Sequence, residues 1–316
     1  MKDYDVDLIT KVCNLRYREE RSQKEISELL KISQAKVSRL IKKAFELGIL
    51  KISIIDNKSE LSSIESQLEK KFGLRRAIVA QSDNYSEKEL KLILGQKAAN
   101  YLENIIKNDD VIGISHGSTV REVISALPIR LPQKVEVVQI LGGSYQLLFG
   151  NDGTDLTKDF SQKFNVNPHI LLAPLFVDNK KIRDTILGDS NIKVTLKMFQ
   201  KINIAIVGIG TFYPILSSSI FKLGNLNRKE IKELKVKKVV GDVFGHFIDD
   251  KGDFCRTSVG DRVISITGPD IFKIDYRIGI AGGENKFRAI TGALKKKIVN
   301  IIVTDDRVAK LILKNS

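Results

Sequence analysis

Cysteine is almost missing from this chain: Cys13 and Cys255 are the only two among 316 residues. Two distant thiols build neither a disulfide framework nor a spaced metal motif. Histidine is as scarce. His116, His169 and His246 are scattered, so no metal and no cofactor is expected from them. His169 and His246 read as structural, Cys13 as core of the first helix and Cys255 as a strand residue. No apolar run approaches the roughly 18 residues needed to span a bilayer. The opening MKDYDVDLIT is acidic, which is not the basic-then-apolar order of a secretory signal. No fixed-period repeat and no low-complexity run is visible. These absences point away from a disulfide-stapled or membrane-spanning protein, and a reducing cytoplasm is the expected setting.

What is present begins with charge. Lysine and arginine number 52 against 38 acidic residues, a formal +14. Such a surplus favours a polyanionic partner, nucleic acid above all. It equally fits a generally basic surface, so the position of the charges has to decide.

RSQKEISELLKISQAKVSRLIKKAFELGILKISII, residues 21–55, is the most informative stretch. Ser22 and Glu25 form a capping-box pattern, opening a helix with Ile26, Leu29 and Leu30 on one apolar face. That helix gives way at Lys31-Ile32, and Ser33 can cap a second one from Gln34 to Phe45, with Val37, Leu40, Ile41 and Ala44 inward. Gly48 ends it, and ILKISII alternates like a short wing strand. An earlier helix between Asp5 and Glu20 supplies Leu8, Ile9, Val12, Leu15 and Tyr17 to the same small core. Two short helices joined by a tight turn are a helix-turn-helix, whose second helix enters the DNA major groove. Its exposed side would carry Ser33, Gln34, Ala35, Lys36, Ser38, Arg39, Lys42 and Lys43. Early residues are placed for base edges and later basic ones for phosphates. The plainer alternative is a helical hairpin with a solvated basic face.

Beyond Lys58 the pattern changes. A helix over LSSIESQLEKKFG is followed by alternating elements. RAIVAQS, DVIGIS, VEVVQIL, HILLAP, IAIVGIG, KVVGDVFG, RVISI, YRIGIAG and VNIIVTD read as strands. Helices are expected over residues 86–106, 119–127 and 156–164. Near-continuous apolar strands between helices predict a mostly parallel sheet covered on both faces. Small residues gather at the expected strand ends: Gly117-Ser118-Thr119, Gly142-Gly143, Gly208 to Thr211, Gly241-Asp242, and Gly282 to Lys286. Ligands bind beyond such ends in open α/β sheets, and helix N-terminal amides beside hydroxyls favour an anion.

One of these loops has a second reading. Gly113-Ile114-Ser115-His116-Gly117 matches G-x-S-x-G, the nucleophile elbow of serine hydrolases, with His169 and His246 downstream as partners for Ser115. The match competes with the anion-cradle reading of Gly117-Ser118-Thr119 two residues later.

The whole chain resembles the SorC-type sugar-responsive transcriptional regulators, a group that includes the deoxyribonucleoside and central glycolytic gene regulators. The helix-turn-helix, VIGISHGSTVREV, VVQILGG, NDGTDL, VGIGT, GDVFGHFIDDKG, DRVISI, IAGGENK and IVNIIVTDDRVAKLIL follow in that family's order. The resemblance implies a winged-helix DNA-binding domain over residues 1–56. It also implies a Rossmann-like α/β effector domain, related to sugar-phosphate isomerases, over residues 57–316. Operator DNA, a phosphorylated sugar and assembly into a homodimer or homotetramer are the implied partners. Carried over, Gly117, Ser118 and Thr119 hold the phosphate with Lys286, while Gly142, Gly143, Asn151, Asp152 and Asp242 shape the sugar end. His116 stands where the family often has an aromatic residue such as tryptophan, Gly153 where alanine is commoner, and His246 where arginine is common. The rival class is an isomerase-like enzyme on the same fold. The helix-turn-helix argues against it, as does the lack of an acid–base pair.

Overall fold

The computed structural model describes residues 6–50, 58–82, 85–129, 131, 133–144, 152–214, 218–224 and 226–315. They fall into two compact units divided between Lys58 and Ser59.

The first unit has three helices, α1 (Val6–Tyr17), α2 (Gln23–Leu30) and α3 (Gln34–Glu46). Ile9, Val12, Cys13 and Leu15 of α1 meet Ile26 of α2 and Val37, Leu40, Ile41 and Ala44 of α3 in one buried cluster. Two residues expected in this core are not there. Leu29 is 52% and Tyr17 41% exposed. An eight-residue helix has room for one narrow apolar stripe, and Ile26 and Leu30 occupy it. Tyr17 ends α1 and carries the Arg16 guanidinium 5.8 Å above its ring. The expected wing strand runs beyond Leu50 and lies outside the described residues.

The second unit runs α4 (Lys58–Phe72), β1 (Arg76–Ala80), α5 (Glu87–Ile105), β2 (Val111–Ile114), α6 (Ser118–Ala126), β3 (Glu136–Gln139), α7 (Gly153–Phe164), β4 (Pro168–His169), α8 (Lys180–Gly188), α9 (Ser190–Phe199), β5 (Ile204–Thr211), α10 (Ser219–Leu223), α11 (Arg228–Val236), β6 (Gly241–Val243), β7 (His246–Ile248), α12 (Gly268–Ile271), β8 (Tyr276–Ile280), α13 (Phe287–Lys295), β9 (Ile301–Asp305) and α14 (Asp306–Asn315). Seven strands pair in the order β1-β9-β8-β5-β2-β3-β4, all parallel. Successive side chains of a strand point to opposite faces. Ile204 and Ile206 of β5 therefore join the core under α5, α6 and α7, while Ala205, Val207 and Ile209 join the core under α4, α9, α13 and α14. No helix among the described residues is long and apolar enough to cross a membrane.

The remaining strands depart from the sequence pattern. β6 pairs antiparallel with the end of β5 and with β7, so Gly241-Asp242 begins a hairpin and does not end a parallel strand. HILLAP contributes only His169 to β4, with a single bridge at Pro174. RVISI forms no strand: Val263 and Ser265 make single bridges to Phe176 and Leu141. Cys255, expected in a strand, lies in the loop after β7.

Candidate functional site

In the N-terminal unit the turn between α2 and α3 is braced at both ends. The Ser22 hydroxyl accepts from Glu25 N (3.2 Å) and the Glu25 carboxylate accepts from Ser22 N (2.7 Å), a complete capping box. Lys31, at φ +51, closes α2. Ser27 Oγ donates to Ile32 O (2.6 Å) across the turn, and Ser33 Oγ caps α3 by accepting from Lys36 N. Ser33, Gln34, Ala35, Lys36, Ser38, Arg39 and Lys42 are all exposed on one side of α3. Lys43 is half-buried, with its ammonium 2.8 Å from Glu46. The face opposite the core is thus polar and basic, as a groove-reading helix requires.

In the second unit the strand order reverses between β2 and β5: from β2 the chain proceeds to β3 on one side, and from β5 to β8 on the other. Such a switch point opens a crevice at the strand ends. A cavity of about 380 Å³ lies there, within the range of small-molecule sites. It is floored by Ser115 to Val120 after β2, Gly208 to Thr211 of β5, Asp242 and the β6–β7 turn, and Asn285-Lys286 after β8. Glu87 and Lys91 of α5 and Lys222 of α10 stand at its edge.

Gly117 is the N-cap of α6, at φ +121 and ψ 156, and offers no side chain to the helix. The first amides of α6 therefore start at the cavity with no side-chain cap, beside the hydroxyls of Ser118 and Thr119. Burial pushes the Lys286 ammonium down to about 8, helped by the Lys91 charge and opposed by Asp242 and Glu87. Burial also pushes the Asp242 carboxyl up to about 7, against Lys286 and a long hydrogen bond from Ser218. His116 is driven down to about 4 by burial despite the Asp152 charge, so its ring is neutral at physiological pH.

His116, Gly117, Ser118, Thr119, Asp242 and Lys286 thus share one cavity, whereas Gly142, Gly143 and Asp152 do not line it. Gly142 is a packing glycine: a Cβ there would stand 2.4 Å from Pro174 O. Asp152 caps α7, accepting from Thr154 N (2.9 Å) and from Ser144 N (2.7 Å). Asn151 lies outside the described residues. Sequence reading missed Glu87, Lys91, Lys222 and Phe244. The capping box at Ser86 placed α5 after β1, which was the available signal for Glu87 and Lys91; nothing local marks the other two.

Ser115 Oγ donates to the adjacent His116 carbonyl at 3.3 Å. His169 is held by Glu136 at 2.9 Å and His246 Nε2 by Ile266 O at 2.7 Å. No Ser–His pair exists among the described residues, and none of their carboxylate, thiol and imidazole groups cluster as a metal site.

A helix-turn-helix unit joined to an α/β domain with a polar switch-point cavity defines a ligand-sensing DNA-binding protein. Residues 56–314 match the family described as "Putative sugar-binding domain", and residues 11–46 match region 4 of sigma-70. The sorbitol operon regulator of Klebsiella pneumoniae is 32% identical over 98% of both chains. The deoxyribonucleoside regulator of Bacillus subtilis (strain 168) is 30% identical over 97% of both. The crystal structure of the full-length sorbitol operon regulator SorC superposes with a TM-score of 0.75 at 31% identity, covering 98% of this chain and 99% of that one. The chain belongs to this family of sugar-binding transcriptional regulators; it is a regulator and not an enzyme.

Proposed function

We propose that a phosphorylated sugar binds in the switch-point cavity and changes the affinity of the helix-turn-helix for an operator governing carbohydrate use. The observation that carries this is the α6 N-terminus, opened by a side-chain-free Gly117 into a cavity that also holds Lys286. Backbone amides and an ammonium converging there suit a phosphate monoester. Ser118 and Thr119 add hydroxyls, and Asp242 and neutral His116 are placed for sugar oxygens. Gly142, Gly143 and Asp152 support that end from behind the lining, and Asn151 joins them on the family resemblance alone. Residues 1–56 serve as DNA-binding domain and 57–316 as effector and assembly domain of a cytoplasmic homodimer or homotetramer. By linkage, operator DNA changes effector affinity by the same factor that effector changes DNA affinity.

A thermal-shift screen of phosphorylated sugars against their free counterparts tests this, since a ligand bound only by the native state raises its melting temperature. A response to free sugars alone would overturn the anion reading. Arg39→Glu is expected to abolish the operator gel shift and leave the effector thermal shift intact.

A further inference from the structure

Behind the β6–β7 turn lies a second cavity of about 380 Å³ that the effector site does not use. The turn has two central residues, Phe244 at φ +57 and Gly245 at φ +79, between the paired Val243 and His246. Positive φ at both centres is type I′ geometry, which asparagine and glycine adopt readily and phenylalanine only under strain. Strained backbone of this kind concentrates at functional sites. Gly245 lines both cavities. A Cβ there would come within 3.1 Å of Leu141 on the effector side and of Ser265 on the far side. Gly245 and its close packing against Leu141 and Ser265 thus stand between the two cavities, which share no other lining residue.

The lining of the second cavity has a definite chemistry. Leu187, Phe254 and Val263 give it apolar walls. The His246 ring lies against Phe254, centroids 4.9 Å apart. Its Nε2 hydrogen is committed to Ile266 O, which leaves Nδ1 of the neutral ring as an acceptor. Arg256 is exposed at the rim, and no hydrogen bond or ion pair engages it among the described residues. Arg183, by contrast, is already held by Asp184 at 2.8 Å.

We infer that this cavity is a second ligand site, taking a small aromatic carboxylic acid with a ring hydroxyl. The ring packs between Phe254, Leu187 and Val263, the carboxylate pairs with Arg256, and the hydroxyl donates to His246. Titration calorimetry of the full-length protein with 4-hydroxybenzoate and with benzoate tests it. Saturable binding at one site per chain is expected, with benzoate weaker by roughly fivefold for want of one hydrogen bond. Arg256→Gln, an exposed change that leaves the melting temperature alone, should weaken both ligands about tenfold. Leu187→Trp, which fills the cavity from a surface helix, should abolish binding. No saturable heat at about 10 mM ligand, or unchanged affinity in Arg256→Gln, would overturn the assignment.

Discussion

Asp242 and Lys286 face one cavity with opposite displacements, and each has its own pH window. The Asp242 carboxyl titrates at about 7 in the folded chain and near 3.8 when free. Between those values the native state holds a proton that the unfolded state lacks. Its contribution to stability is therefore fully present below about pH 4 and is lost as pH rises through 7. A shift of this size corresponds to something on the order of 4 kcal/mol, the Lys286 charge already included. Asp242→Asn should thus melt higher than the parent at pH 8 and equal it at pH 4, read by calorimetry at both. Lys286, at about 8, is partly neutral in mild alkali, so holding a phosphate dianion there takes up a proton. Effector affinity is expected to fall by up to about tenfold per pH unit above pH 8. Calorimetry in buffers of different ionisation enthalpy would detect that proton, and Lys286→Met should remove the alkaline limb. Both residues were legible in the sequence as polar groups beside glycines. Their meeting in one cavity was not, because β6 folding back antiparallel on β5 brings Asp242 there while Lys286 arrives from the end of β8.

At the scale of elements, two glycines read as one kind of signal turn out to answer to different constraints. Gly117 sits at φ +121, where a Cβ would meet nothing within 4 Å, so only its backbone demands glycine. Gly142 has an ordinary φ but lies against the backbone of Pro174 and Leu175. Gly117→Ala should cost about 1–3 kcal/mol through backbone strain and weaken effector binding as the α6 amides turn away. Gly142→Ala should damage folding itself, seen as the larger drop in urea midpoint of the two. Capping at Ser22 and Ser33 was readable because a cap is a local event. The failures over HILLAP and RVISI have the opposite cause. Leu171 and Ala173 of the first run are buried while Leu172 between them is exposed, and in both runs pairing partners too distant in sequence decide that little beyond single bridges forms. Leu29 failed for a similar reason, since periodicity marks an apolar face without saying how wide a stripe the neighbouring helices can cover.

For the whole molecule, the charge has a distribution that its sum conceals. Residues 1–50 hold eleven lysines and arginines against eight acidic residues, so most of the +14 belongs to the remaining chain. What suits the first unit to DNA is arrangement: Lys36, Arg39 and Lys42 share the exposed side of α3, and Lys43 is occupied by Glu46. Each phosphate contact contributes about 0.9 to the slope of log affinity against log salt. Lys42→Gln should lower that slope by about one for every chain bound to the operator, measured by fluorescence anisotropy across a salt series, and Lys43→Gln should lower it less. The division into a helical head and a parallel α/β body was plain in the sequence. The strand order was not, because a register such as Ile112 beside Ile204 joins segments with no local signal for each other.

That order also fixes a sequence of events in time. β1 pairs with β9, Arg76 beside Ile301, so the first strand of the sheet waits for the last. During synthesis at about 5–20 residues per second, the three-helix head is complete while the sheet still lacks its closing strand. A newborn chain therefore completes its helix-turn-helix well before the sheet can close, and a chain broken off ahead of Ile301 would keep the first while β1 stayed without its partner.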